Sequence, residues 1–475
     1  MSQPDDEPRG LHRKPRRRTT RVVALLLGGL LSVSAGAAIG AVLDGGPPSD
    51  VAVLSPTSAP TSAPRSAPTR TATPAVSPAA TPALRGTPTA EQQRVAALQV
   101  LLSTRAKAVL SGDKASWLST VDPTQRSFRT AQSTLFDNLR DVGFSSFGYT
   151  YGSVAATLPA PRRRELGASA WVARVVTDYQ IRTFDRTPSR AEQYFTSVRR
   201  AGRWYLAADS DQSVTPQPWD IGRITVVRGS RVLVMGTAER AVLQSFAKQG
   251  DAAVSRVSAV WGERWSRRAV LVVPTSQRQM GRLLQRADGL DQVAAVTTGE
   301  LSATGAAAAG SDRVVINPAA FARLGASGRR VVLTHELTHV AVRSSTSASV
   351  PIWLSEGFAD YVGYQGVGLD RRTVAADVLA LVRRGEGYRQ LPTAADFDPA
   401  RTTIAPAYSA AWLACLLIAD RYGQQGLVQL YRTAATAKTT NPDAALATAF
   451  RQVLGMSQAQ FTIRWRSYLS GLATT

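Results

Sequence analysis

His335, Glu336 and His339 stand in the run Val331-Val332-Leu333-Thr334-His335-Glu336-Leu337-Thr338-His339-Val340-Ala341-Val342. Residues four apart on a helix share a face. A helix here therefore points two imidazoles at one place. Neutral imidazole is a good zinc ligand, with bonds of about 2.0–2.1 Å. Glu336 projects from the adjoining face, where its carboxylate reaches a zinc-bound water as general base and then shuttles the proton. The chain has only 3 histidines, and the third, His12, is close to the N-terminus. The pattern is therefore no by-product of a histidine-rich composition.

A catalytic zinc takes three protein ligands and keeps a fourth position for water. No histidine remains, so a carboxylate must complete the set. Glu356 lies in Pro351-Ile352-Trp353-Leu354-Ser355-Glu356-Gly357-Phe358-Ala359-Asp360-Tyr361, seventeen residues after His339. That spacing leaves room for a turn through Ser344–Val350 and a second helix starting near Ser355 as N-cap. Asp360 follows Glu356 by four and shares its face. It is placed to accept the second N–H of a ligand histidine and fix its tautomer. Without the histidine pair, the same acids would read as a solvated helix surface.

With both motifs in view, the chain resembles the gluzincins, the metallopeptidase clan of thermolysin and the zinc aminopeptidases. The residues that carry the likeness are His335, Glu336 and His339, then Trp353-Leu354-Ser355-Glu356-Gly357-Phe358-Ala359-Asp360-Tyr361. It covers about residues 310–425. The resemblance implies one zinc ion held by His335, His339 and Glu356, with Glu336 as base and Asp360 behind a ligand histidine. It also implies that Asp312–Asn317 is the edge strand lining the cleft. Similar enzymes stabilise the oxyanion with a Tyr or His after the third ligand. Tyr408, at the start of a later helix, resembles that position. Tyr361 and Tyr364 are rivals, and a packed core tyrosine is the plain alternative for each. Zinc aminopeptidases also carry a Gly-x-Met-Glu-Asn-type segment that holds the substrate amine. Nothing between Val293 and Asn317 matches it, and Glu300 is the only nearby acid before Asp312. Endopeptidase action therefore stays open.

These residues need a scaffold. Residues 218–475 read as one catalytic unit. Arg268–Val273 and Asp312–Asn317 are expected strands, Gly328–Arg343 is the motif helix, and the chain is nearly all helical from Ser355. That is a strand-rich lobe followed by a helical lobe. Residues 91–215 read as a smaller α+β unit. Helices are expected at Glu91–Leu110 and Phe128–Phe136, then a strand at Trp171–Arg182. A hairpin, Glu192–Arg199 with Trp204–Ala208, turns at Ala201-Gly202. The element order resembles the cone-shaped nuclear transport factor two-like fold, and the expected role is binding or spacing.

Further towards the N-terminus the composition changes. Residues 44–90 are rich in Pro, Ser, Thr and Ala and cannot bury enough apolar surface to fold, so they read as a disordered stalk. Val22–Leu43 is uncharged and long enough to span a bilayer. The basic residues 1–21 before it orient the N-terminus to the cytoplasm. A cleaved signal peptide with the apolar core Val22–Leu31 is the rival. Either reading puts the rest of the chain outside the cytoplasm.

The net charge of +22 comes from 56 Lys plus Arg against 34 Asp plus Glu. It suits anionic lipid or acidic envelope polymers, or is simply a solvated Arg-rich surface. No basic run interleaves with aromatics, so no nucleic-acid partner is expected. Cys415 is the single cysteine. It excludes an intramolecular disulfide, and its apolar surroundings, Ala410–Ala419, mark it as a core residue.

The whole reads as an α+β, membrane-anchored, extracytoplasmic zinc metallopeptidase acting on peptides or proteins of the cell envelope. The alternative is a membrane-tethered binding or scaffold protein whose peptidase fold is catalytically inactive.

Overall fold

A computed structural model describes residues 88–474 except 156, 287–289, 291–292, 299–310, 349, 399–400, 402 and 440. The basic tail, the apolar segment 22–43, nearly all of the stalk and Glu300 lie outside the described residues. Among those described, no helix is long and apolar enough to cross a membrane.

The fold is α+β. It opens with α1 (Ala90–Ser111), α2 (Lys114–Ser119) and α3 (Arg126–Val142), then β1 (Phe144–Val154), α4 (Ala160–Leu166), β2 (Trp171–Ile181), β3 (Ser189–Arg200) and β4 (Arg203–Ala208). Thr89 caps α1 with a reciprocal capping box to Gln92, and Gly112 ends it in the left-handed region. The four strands form one antiparallel sheet in chain order. Strand β2 alternates between buried and partly exposed residues along most of its length, as one face against helices requires. The β3–β4 hairpin turns at Ala201 and Gly202, both at positive φ, as a two-residue turn demands.

A second sheet follows. It is built from β5 (Thr225–Arg228), β6 (Val232–Gly236), β7 (Ala269–Val273), β8 (Ala295–Thr298) and β9 (Arg313–Ile316), in the order β5-β6-β7-β9-β8. Strands β6, β7 and β9 run parallel and are buried throughout, so apart from Arg313 their residues are apolar with no polar alternation. Between them come α5 (Arg240–Trp261) and α6 (Gln277–Leu284). From here the chain is helical: α7 (Pro318–Ala322), α8 (Ala326–Arg343), α9 (Ile352–Tyr364), α10 (Arg371–Val374), α11 (Ala376–Arg383), α12 (Ala405–Ala435, kinked at Gly423), α13 (Pro442–Ala449) and α14 (Gln458–Thr474).

Two expectations are corrected. The strand at Arg313–Ile316 is internal, and β8 is the edge, because β8 adds antiparallel to β9 on its outer side. The second motif helix starts at Ile352 after Pro351, not near Ser355. Proline's fixed φ and missing N–H suit it to a helix start, whereas Ser355 lies within the helix.

The two sheets share a core. One cluster joins Trp117, Phe136, Phe144, Tyr179 and Trp219 to Met235, Val272, Val296 and Val315. A buried bidentate ion pair crosses the same junction, with Arg313 Nη1 and Nη2 donating to Asp185 Oδ1 and Oδ2 at 2.7 and 2.8 Å.

Candidate metal centre

Helix α8 is buried from Val331 to Val342 without a break. A helix buried on every side lies inside the protein, polar residues included. Here α5, α9, β8 and β9 surround it. Its two threonines do not compete for the site, since Thr334 and Thr338 hydroxyls donate back to the carbonyls of Arg330 and Thr334.

Helix α9 lies against α8 on one side and α12 on the other. The approach to α12 is close enough to require glycine, and that to α8 leaves little room for more. A Cβ on Gly363 would sit 3.1 Å from the carbonyl oxygen of Val331, and one on Gly357 would sit 2.4 Å from that of Ala411. These contacts bring Glu356 and Asp360 of α9 and Tyr408 of α12 up to the histidines of α8.

His335 Nδ1 lies 2.7 Å from Asp360 Oδ1. A carboxylate there accepts a hydrogen bond from Nδ1–H, which keeps the proton on Nδ1 and leaves the Nε2 lone pair facing inward. His339 Nε2 is 3.1 Å from His335 Nε2. Glu356 Oε2 completes the triangle at 3.3 Å from His335 Nε2 and 3.5 Å from His339 Nε2. Four ligands about 2.05 Å from a tetrahedral zinc stand about 3.3 Å apart, so this triangle has the size of such a site.

The electrostatics agree with a missing positive charge. Glu356 is fully buried, and neither of its oxygens has a hydrogen-bond partner. A buried carboxylate needs positive charge beside it. Burial pushes its pKa up, but His339 and then His335 outweigh that and bring it down to about 2. For His335, burial depresses the imidazolium, yet Asp360 and then Glu356 hold its pKa well above the ordinary value. Without a cation, this cluster needs a proton on a buried imidazole. The donor set, its spacing and the orphaned carboxylate all fit one zinc ion.

Glu336 is buried beside the triangle, and Thr297 of β8 donates to its Oε2 at 2.7 Å and to its backbone oxygen at 3.0 Å. This contact is absent from the sequence reading. Asp312 is a second omission. Its Oδ1 accepts from Arg343 Nε at 3.1 Å, and its Oδ2 has no hydrogen-bond partner. Burial pushes the Asp312 carboxyl up to about 6, against the pull of Arg343, Arg313 and His339.

Of the three tyrosines, Tyr408 makes a ring contact with a ligand histidine, its centroid 6.4 Å from that of His335. Burial, then the charges of Glu356, Asp360 and Glu336, push its pKa well above 10, so its hydroxyl stays a proton donor. Tyr361 packs on Phe358 and Tyr364 on Trp412. Cys415 is fully buried, and burial pushes its thiol far up, as an inert core residue requires.

No family model and no curated protein matches the chain. Among solved structures it is similar to an M1 zinc metallopeptidase mutant from Deinococcus radiodurans bound to a Tyr-Ser-Ala substrate. The two are 16% identical over 63% of this chain and 61% of that one, with a TM-score of 0.31. A two-domain M1 zinc metallopeptidase mutant bound to L-tryptophan is also 16% identical, over the same shares, with a TM-score of 0.29. The chain thus spans about three fifths of the solved chains it matches.

Proposed function

We propose that this chain is a zinc-dependent metallopeptidase, anchored by segment 22–43 and acting outside the cytoplasm on peptides or proteins of the cell envelope. The observation that carries the catalytic part is Glu356, a buried carboxylate without a hydrogen bond, set between two imidazole nitrogens that face the same point. The anchor and the location rest on the uncharged run Val22–Leu43 behind a basic N-terminus.

His335, His339 and Glu356 would hold the ion. When bound, zinc supplies a Lewis acid for the scissile carbonyl and makes water a nucleophile near neutral pH. The chain's own groups do the rest. Glu336 takes a proton from the attacking water and passes it to the leaving amine, and Thr297 fixes that carboxylate. Tyr408 keeps its proton and can donate to the developing oxyanion. Asp360 holds the His335 ring in orientation.

The test is cleavage of a fluorogenic peptide library by the zinc-loaded full chain and by Glu336→Gln. Loss of a positioned base lowers the rate by about 10²–10⁴-fold, and that drop with zinc retained is the expected result. A zinc-loaded wild-type chain that cleaves nothing would instead favour the tethered, inactive binding protein.

A further inference from the structure

The first sheet and its helices bound a second cavity, whose lining includes none of the residues around the histidine pair. Helices α1 to α3, strands β1 to β3 and the segment 209–222 bound a cavity of about 540 Å³. That is within the range of small-molecule sites. Its wall includes Trp117, Phe147, Tyr149, Tyr179, Phe195 and Trp219. Edge-to-face contacts fix several of these rings, with Tyr179 and Trp219 centroids 4.9 Å apart and Phe147 and Tyr149 5.4 Å apart. The aromatic surface is therefore preformed.

Arg105 of α1 stands in the same wall and is 1% exposed. Its guanidinium lies over the Trp117 ring at 3.3 Å from the centroid. It donates to Thr120 Oγ1 at 3.2 Å and to Gln132 Oε1, both neutral, and its Nε has no partner. The nearest acid in this network is Asp209, which it meets only through Gln132, whose amide donates to Asp209 Oδ2 at 2.8 Å. Burial lowers the pKa of the guanidinium, and Tyr149 and Asp209 pull the other way. A buried cation held by neutral groups favours an incoming counter-ion. Asp220 and Arg282 also line the cavity. Asp209 and Asp220 line the same cavity, so it admits one negative charge more readily than a polyanion.

We propose that this cavity binds a small organic monocarboxylate with a flat apolar body, the carboxylate pairing with Arg105 and the body lying among the aromatic walls. The site is independent of the zinc chemistry. Calorimetric titration of the purified full chain with phenylacetate, phenylacetamide and phenethylamine tests it. Phenylacetate is expected to bind at least about tenfold more tightly than the neutral amide or the amine, since a charge-assisted hydrogen bond is worth about 1.5–3 kcal/mol. Arg105→Gln removes that preference. Asp209→Asn leaves Arg105 in place and tightens phenylacetate. No binding of phenylacetate, equal binding of the amide, or tighter binding of the amine overturns the proposal. So does weaker phenylacetate binding in Asp209→Asn. The three-ligand comparison stands on the wild-type chain even where a variant fails to fold.

Discussion

Gly357 follows Glu356 on α9 and faces α12 (Ala405–Ala435). A methyl group there would lie 2.4 Å from the Ala411 oxygen, 2.6 Å from the Ala411 carbonyl carbon and 2.9 Å from Cys415 Sγ. Carbon needs about 3.5 Å from its neighbours, so Gly357→Ala must part the two helices by about 1 Å. Two of the three atoms met are backbone, and no rotamer change relieves them. Overpacking of this kind costs about 1–3 kcal/mol. The same shift separates Tyr408 from Glu356, because Tyr408 lies one turn before Ala411 on α12. A misplacement of about 1 Å in catalytic geometry costs about 100-fold in rate. Zinc should stay bound, since its histidines are on α8, and α9 keeps its contact to α8 through Gly363. The assays are urea unfolding, zinc content and kcat/KM on a peptide substrate. Gly471→Ala is the control, because a Cβ there meets nothing within 4 Å. If Gly357→Ala unfolds and cleaves like wild type, the helix-approach argument is wrong.

Two further outcomes follow from the contacts around the zinc ligands. Thr297→Val removes the hydroxyl that donates to Glu336 Oε2. Hydrogen bonds to charged groups are worth about 1.5–3 kcal/mol, so kcat should fall about 10- to 150-fold with KM and zinc content near wild type, and Thr297→Ser should restore most of it. An unchanged kcat in Thr297→Val would show that the contact does not hold the base. Asp360→Asn leaves a neutral partner for His335 Nδ1, and loss of such an outer carboxylate lowers metal affinity about 10- to 100-fold. Competition with a fluorescent zinc chelator reads this directly, and wild-type affinity would remove Asp360 from the site.

The sequence reveals the ligand set because its logic is local. His335 and His339 are one helical turn apart, and the absence of a further histidine directs attention to Glu356 and Asp360. The helix start at Pro351 is misread as Ser355, because serine is the commoner cap and both lie before the same acids. Thr297 is missed for a different reason. The strand β8 is only four residues, Ala295–Thr298, and its place at the sheet edge depends on antiparallel pairing with β9 rather than on any pattern of its own. Such non-local pairing leaves no periodic signature. The shared core and the Asp185–Arg313 ion pair are hidden likewise, since these residues lie 128 positions apart. Arg105 reads in sequence as an ordinary charge on a helix, and only packing against Trp117 and Gln132 buries it.

The most direct test of the central claim is the zinc content of the purified full chain, measured beside His339→Ala. The site geometry predicts close to one zinc per chain in wild type, and its loss in the variant while the fold, read by circular dichroism, persists. A wild-type chain that holds no zinc after reconstitution, or a His339→Ala chain that holds as much as wild type, would contradict the assignment of His335, His339 and Glu356 as a metal site.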